Sequence, residues 1–304
     1  MWKTLIVGRE GRLTLDQGWL VVTQEEKLTR IPIEDLYSVV IDNRQSVVSI
    51  SVLTALSDAG VHVMMCDEKH VPTNVLLPLN RHYRAYGMLR DQLSLSATVQ
   101  EEMWGAIVRA KIENQVEVLR LCGVPKTRQE PVAVCLERII PGDKRNVEAM
   151  AAKRYFQALF GQGFHRTDED VTNAALNYGY SILRSAMARS LCAYGFHCEL
   201  GIHHIGEGNP FNLADDLMEP WRPLVDYWTD EHMDELFDTL TTANRRELVG
   251  IVNRTVLWEG KKTAVRYAID RYAAAFSRAV LEEDVSFMHF PKIIALNAVS
   301  EEDG

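Results

Sequence analysis

No uncharged apolar run in this chain approaches the ~20 residues that a membrane span requires. The first residues, Met1-Trp2-Lys3-Thr4-Leu5-Ile6-Val7-Gly8, hold too short an apolar stretch for a secretory leader and no cleavage-like site. The chain is therefore expected to be cytoplasmic. Its five cysteines (Cys66, Cys122, Cys135, Cys192 and Cys198) form no CxxC pair, so neither a disulfide framework nor a zinc knuckle is indicated. They read as small buried hydrophobes. The phosphate-binding GxxxxGK[ST] loop, the dinucleotide GxGxxG turn, the GxSxG nucleophile elbow and the HExxH zinc helix are all missing. Internal repeats and low-complexity tracts are missing too. What remains is a composition with 47% hydrophobic and 25% charged residues, which favours a folded core over disorder except at Ser300–Gly304.

The net charge of −9 argues on its face against a nucleic-acid partner, but its distribution matters more than its sum. Residues 1–80 carry a net −3 and residues 81–154 a net +4. Residues 155–244 carry −10, residues 245–278 carry +5, and the remainder −5. Two basic segments thus bracket a very acidic one. That layout suits cations held beside phosphate-binding surfaces, and equally suits ordinary solvated charged faces.

Up to about residue 75 the chain reads as strands. Leu5–Val7, Leu13–Leu15, Trp19–Val22, Leu28–Ile33 and Tyr37–Ile41 are short and rich in β-branched residues, punctuated by Gly11, Gly18 and Asp42-Asn43. Val48–Leu56 reads as a helix closed by Gly60, and Val61–Cys66 as one more strand. From about residue 83 the apolar period becomes helical: Tyr86, Leu89, Leu93, Trp104, Ile107, Val108, Ile112, Val116 and Leu119 form one long stretch ending at Gly123. Further helices are expected at 147–160, at 174–194 behind an acidic cap at Asp168–Asp170, near 213–219, and near 243–251 and 262–283. Pro220 and Pro223 should end or bend the third of these, near 213–219. The expected class is α+β, an N-terminal β-sandwich followed by an all-α domain, with 1–80 as the first domain and 81–304 as the second.

Phosphoryl transfer needs charge neutralised on a phosphate, which a divalent metal held by carboxylates and an imidazole does well. The strongest local candidate is Ile202-His203-His204-Ile205-Gly206-Glu207, followed by Asn212-Leu213-Ala214-Asp215-Asp216-Leu217-Met218-Glu219-Pro220. Here Asp215 or Asp216 and Glu219 fall on one face of a helix, with Arg222 one turn beyond. A solvated acidic turn with an incidental histidine pair has the same spacing. Glu148 opens a helix after Pro141-Gly142-Asp143-Lys144-Arg145-Asn146, where a carboxylate also simply suits the helix dipole.

These segments together resemble the CRISPR-associated adaptation integrases, the Cas-one family. The resemblance rests on Asn209 to Asp226, on Asn173-Ala174-Ala175-Leu176-Asn177-Tyr178-Gly179-Tyr180, on Lys111-Ile112-Glu113-Asn114-Gln115, and on Glu148 with Ala151, Tyr155 and Phe156. The Asp-Asp-Leu-Met-Glu-Pro run is most similar to versions from systems with a single large effector nuclease (type II). The resemblance implies a catalytic metal site of Glu148, His204 and Glu219 for Mg²⁺ or Mn²⁺, with Asp216 as a candidate second carboxylate. His203 adjoins the matching histidine; the spacing to Glu219 favours His204.

It further implies a transesterification in which the 3′-OH of a captured spacer DNA attacks a phosphodiester at the CRISPR repeat, with endonuclease activity when water replaces the hydroxyl. Implied partners are double-stranded DNA, a second copy of the chain, and a dimer of a small Cas-two protein forming a heterohexamer. The basic residues Arg84, Lys111, Arg145, Lys153, Arg245 and Arg246, together with Arg81, Arg90, Arg154, Arg254, Lys261 and Lys262, then become candidate phosphate contacts. Two other readings use the same residues: a plain metal-dependent nuclease or phosphohydrolase, and a non-catalytic DNA-binding scaffold.

Overall fold

The structure is a computed structural model that describes residues 3–25, 27–68, 70, 72–76 and 84–295. Strands come first and helices after, as the change of apolar period indicates. In chain order the first part contains β1 (Lys3–Val7), β2 (Arg12–Asp16), β3 (Trp19–Gln24), β4 (Lys27–Pro32), β5 (Leu36–Ile41), β6 (Val47–Val48), α1 (Ile50–Asp58), β7 (His62–Cys66) and β8 (Pro72–Leu76). A two-residue turn joins β2 to β3, with Gln17 and Gly18 both at positive φ (48° and 83°), the geometry that matches strand twist.

Two four-stranded sheets result, in orders β1-β5-β7-β8 and β4-β3-β2-β6. The first is parallel along β1-β5-β7, so β5 is covered on both faces and is buried at every position, which fits a run that is apolar apart from Ser38 and the Tyr37 hydroxyl. The sheets share a core in which Val39 and Val63 of one meet Leu13 and Leu20 of the other, closed by Val52 and Leu56 of α1. On its opposite face the first sheet presents Tyr37, Val40 and Met64 to the helices.

The helical part comprises α2 (Ala85–Ser94), α3 (Ala97–Leu121), α4 (Lys126–Ala133), α5 (Val147–Phe160), α6 (Val171–Ala193), α7 (Asn212–Leu217), α8 (Arg222–Glu231), a hairpin of β9 (Thr255–Trp258) and β10 (Lys261–Ala264) preceded by α9 (Thr242–Val249), and α10 (Val265–Glu282). The single long helix expected up to Gly123 is two: Ser96 caps α3 by accepting from Val99 N, which breaks the run at Leu95-Ser96. Asp170 caps α6 in the same way, at 2.7 Å from Asn173 N. Close packing of α6 on α8 needs Gly179, because a Cβ there would lie 2.4 Å from Val225. β8, the β9–β10 hairpin and α8 were not expected from the sequence. The Arg81 position and the Ser300–Gly304 tail lie outside the described residues. No helix among the described residues is long and apolar enough to cross a membrane.

Candidate active site

α5 begins at Val147, and Asn146 before it sits at φ 49° with no side-chain cap of its own. The cap comes from further back: the buried carboxylate of Asp143 accepts from Val147 N and Glu148 N, both at 2.8 Å. This fixes the first turn and with it the direction of Glu148. α3 crosses beneath and supplies Lys111, whose side chain is only 8% exposed. Its ammonium contacts Glu148 Oε1 and also Glu219 Oε2, so a single cation bridges two carboxylates from separate elements.

Glu219 does not continue α7. Pro220 ends that helix, and Glu219-Pro220-Trp221 form a 3-10 turn leading into α8. The spacing argument that put Asp215 or Asp216 and Glu219 on one helical face therefore fails, and the turn instead aims Glu219 toward α3. Asn114, buried one turn after Lys111, holds that turn by donating to Pro220 O at 2.8 Å and to Pro291 O at 3.0 Å. Arg222 Nε donates to Glu219 Oε1 at 2.8 Å. Oε2 is buried without an aligned hydrogen-bond donor, its close neighbour being the Lys111 ammonium. Burial raises the Glu219 pKa, but Arg222 and Lys111 outweigh it and lower the carboxyl to about 2. Burial likewise disfavours the Lys111 ammonium, and Glu219 and Glu148 more than offset it, so the group stays charged.

The histidine loop is organised by Asp216, which is fully buried on α7. Its Oδ2 accepts from Ile202 N (2.6 Å) and His203 N (3.0 Å); its Oδ1 accepts from His204 N (3.1 Å) and His204 Nδ1 (2.6 Å). Gly201 is required here, since a Cβ would lie 2.1 Å from His204 O. The candidate second carboxylate thus has both oxygens engaged by the loop. It fixes the imidazole with Nδ1–H toward a carboxylate, the arrangement by which proteins leave Nε2 as the ligating nitrogen. The Asp216 hydrogen bond raises the His204 pKa. His203 lies flat against Trp104, with ring centroids 4.1 Å apart and planes 2° apart, so of the two histidines His204 is the one tied to the carboxylate system.

Among the described residues no three His, Cys, Asp or Glu side chains already stand together as a metal cage. The donor chemistry fits a divalent ion nonetheless: two carboxylates that converge on one cation, an oxygen without an aligned donor, and an imidazole oriented by a carboxylate. Asp215 belongs to the surroundings, bound by Arg184 Nε and Asn209 Nδ2 at 2.8 Å each. Behind it Tyr180 donates to Asp226 Oδ1. Sequence reasoning missed Asp143, Trp104 and the bridging role of Lys111.

The candidate phosphate contacts divide. Arg145, Lys153 and Arg246 are exposed. Arg84 is exposed with Asp91 at 3.9 Å. Lys111 is buried between the glutamates and is no surface contact. Arg245 is largely buried and paired with Asp42 at 3.1 Å, where it ties α9 to the end of β5.

The sequence matches the family model described as "CRISPR associated protein Cas1" over residues 5–231. It is 35% identical over 298 residues to the CRISPR-associated endonuclease Cas1 of Neisseria meningitidis serogroup C (strain 8013), covering 97% of each chain. Its fold is similar to a casposase bound to integration product, at TM-score 0.76 and 17% identity, covering 99% of this chain and 96% of that one. It is also similar to a chain of a Cas6-RT-Cas1–Cas2 complex, at TM-score 0.77 and 20% identity; it covers 96% of this chain and spans 36% of the other.

Proposed function

The chain belongs to the Cas1 family of CRISPR-associated proteins, and from that premise we propose that it is a metal-dependent DNA integrase that joins the 3′-OH ends of spacer DNA to a CRISPR repeat. The observation that carries this reading is the convergence of Glu148 and Glu219 on one cation, with the His204 imidazole oriented by Asp216 and interacting electrostatically with Glu219. Glu148, Glu219 and His204 Nε2 would hold Mg²⁺ or Mn²⁺. Such an ion polarises the target phosphodiester and neutralises the charge that develops on it.

The chain's own residues do the rest. Arg222 holds Glu219 in its ionised form, and Asp143 and Asp216 fix the directions of Glu148 and His204. The reaction forms a bond from the attacking 3′ oxygen to phosphorus and breaks the bond to the target strand's 3′ oxygen, which leaves as a hydroxyl. No protein nucleophile is called for. Cys198, which leads into the site, is buried, and its contact with Cys192 together with burial holds the thiol protonated. Water in place of the 3′-OH gives endonuclease activity.

The two sheets that share a core are read as the family's β-sandwich, in residues 1–80, carrying dimer and partner contacts; residues 81–304 form the catalytic domain. The partners are double-stranded DNA, a second copy of the chain, and a Cas2 dimer, in the cytoplasm; the Cas1–Cas2 complex of similar fold supports the last partner. The match over the Asp-Asp-Leu-Met-Glu-Pro run supports a type II-like version. The casposase neighbour, bound to an integration product, favours joining over hydrolysis alone.

The test is half-site integration. A labelled duplex with 3′-OH ends is mixed with a supercoiled plasmid carrying a repeat, Mn²⁺ or Mg²⁺, and the Cas2 partner. Label should join the plasmid with the parent protein and not with His204→Ala or Glu219→Ala. Cleavage without joining would favour the plain nuclease, and neither activity would favour the scaffold.

A further inference from the structure

Lys111 is the one cation that touches both Glu148 and Glu219 among the described residues, and it does so from a buried position on α3. Its backbone is fixed, because α3 is held on one face by Asn114, which is bonded to Pro220 O and Pro291 O, and on the same side by buried Trp104. Only the flexible four-carbon side chain can give way. The other oxygen of Glu219 is committed to Arg222, so Lys111 and any incoming cation face the same atom, Oε2. Glu148 meets the same ammonium through Oε1, and its side chain is 26% exposed, so this is the side from which an ion can arrive.

We propose that Lys111 is a built-in competitor for the metal: its ammonium serves as counter-ion to the Glu148–Glu219 pair, and a divalent ion coordinates both carboxylates only by displacing it. The proposal rests on the reading of these glutamates as metal ligands. Two carboxylates aimed at one point repel each other, and a single positive charge between them relieves this. A divalent ion relieves it further, but an ammonium left at contact distance would then repel that ion. Lys111 is in this sense a positioning residue, and it sets the apparent metal affinity without coordinating. A purely supportive lysine, one that held the carboxylates in place for the metal, would do the opposite and strengthen metal binding.

The test is Mn²⁺ titration of the full chain, with free Mn²⁺ read by electron paramagnetic resonance, for the parent, Lys111→Met, Lys111→Arg and Glu219→Gln. Lys111→Met should bind about tenfold more tightly or better, since the competing charge is gone. Lys111→Arg, which keeps the charge, should stay near the parent, and Glu219→Gln should lose the site. If Lys111→Met is unfolded in metal-free buffer, recovery of its folded circular dichroism on adding Mn²⁺ supports the exchange of one cation for another. Failure to recover at saturating Mn²⁺ overturns it. Equal or weaker binding by Lys111→Met, beside a Glu219-dependent site in the parent, overturns the competition and leaves the metal reading standing. No Glu219-dependent Mn²⁺ binding in any variant overturns both.

Discussion

Replacing Asp216 by Asn changes one atom in a site where all four hydrogen bonds run toward the carboxylate. Three donors are backbone N–H groups and cannot reverse; the fourth, His204 Nδ1, can. Placing the new amide nitrogen at the Oδ2 position would set it against two backbone donors. At the Oδ1 position it meets one backbone donor and the imidazole, which can accept if its proton moves to Nε2. The second arrangement costs less, and it leaves His204 N as an orphaned donor, about 1–3 kcal/mol. The remaining bonds also lose their charge assistance. Together Asp216→Asn should lower stability by roughly 2–5 kcal/mol in urea unfolding. The proton forced onto Nε2 removes the lone pair that a metal would use, so Mn²⁺ affinity should fall about 10–100-fold. A variant within about 1 kcal/mol of the parent, with unchanged Mn²⁺ affinity, would refute the reasoning that Asp216 both seats the loop and sets the imidazole tautomer.

Three further outcomes follow from other parts of the molecule. Asp226 is buried beside Tyr180 and Tyr155, and burial raises its pKa from 3.8 to about 6 despite their hydrogen bonds. A raised folded pKa means stability present at low pH and lost as pH rises toward and through 6, so Asp226→Asn should gain on the parent by up to about 3 kcal/mol between pH 3 and pH 8. A stability difference that is flat across that range in denaturant melts would contradict this. Arg245→Met removes the arginine paired with Asp42, which is 4% exposed and keeps a hydrogen bond with His70 Nδ1 at 2.8 Å. It should cost about 2–4 kcal/mol, part of which Asp42→Asn in the same chain restores. Arg145→Glu and Lys153→Glu, both at exposed positions, should weaken DNA binding and each flatten its dependence on log salt by about one charge, as titrations at several salt concentrations would show.

Much of the architecture was legible because it is written in local chemistry. β5 announces itself by Tyr37 and the β-branched Val39-Val40-Ile41, α5 by its position after Pro141-Gly142, and α6 by the acidic cap at Asp170. What was missed has weaker or non-local signals. β8 has no fully buried position and, among the described residues, pairs with β7 alone, so only a weak apolar signal marks it. The β9–β10 hairpin turns on Glu259-Gly260, both at positive φ, where Glu is an uncommon choice compared with Asn or Asp. The metal-ligand candidates were found as residue types, but their roles depend on contacts that no spacing encodes. Asp143 caps α5 from four residues upstream, and Lys111 reached its glutamates across 37 and 108 positions. Basic character made Lys111 and Arg245 look like surface contacts; burial against carboxylates gives them other work.

The most direct measurement is a crystal of the full chain grown with Mn²⁺, with anomalous differences collected near the manganese edge. The account predicts one strong peak per chain within about 2.0–2.3 Å of Glu148, His204 Nε2 and Glu219 oxygens, with the Lys111 ammonium moved off both carboxylates. A peak bound elsewhere, or none between these residues at saturating Mn²⁺, would contradict it.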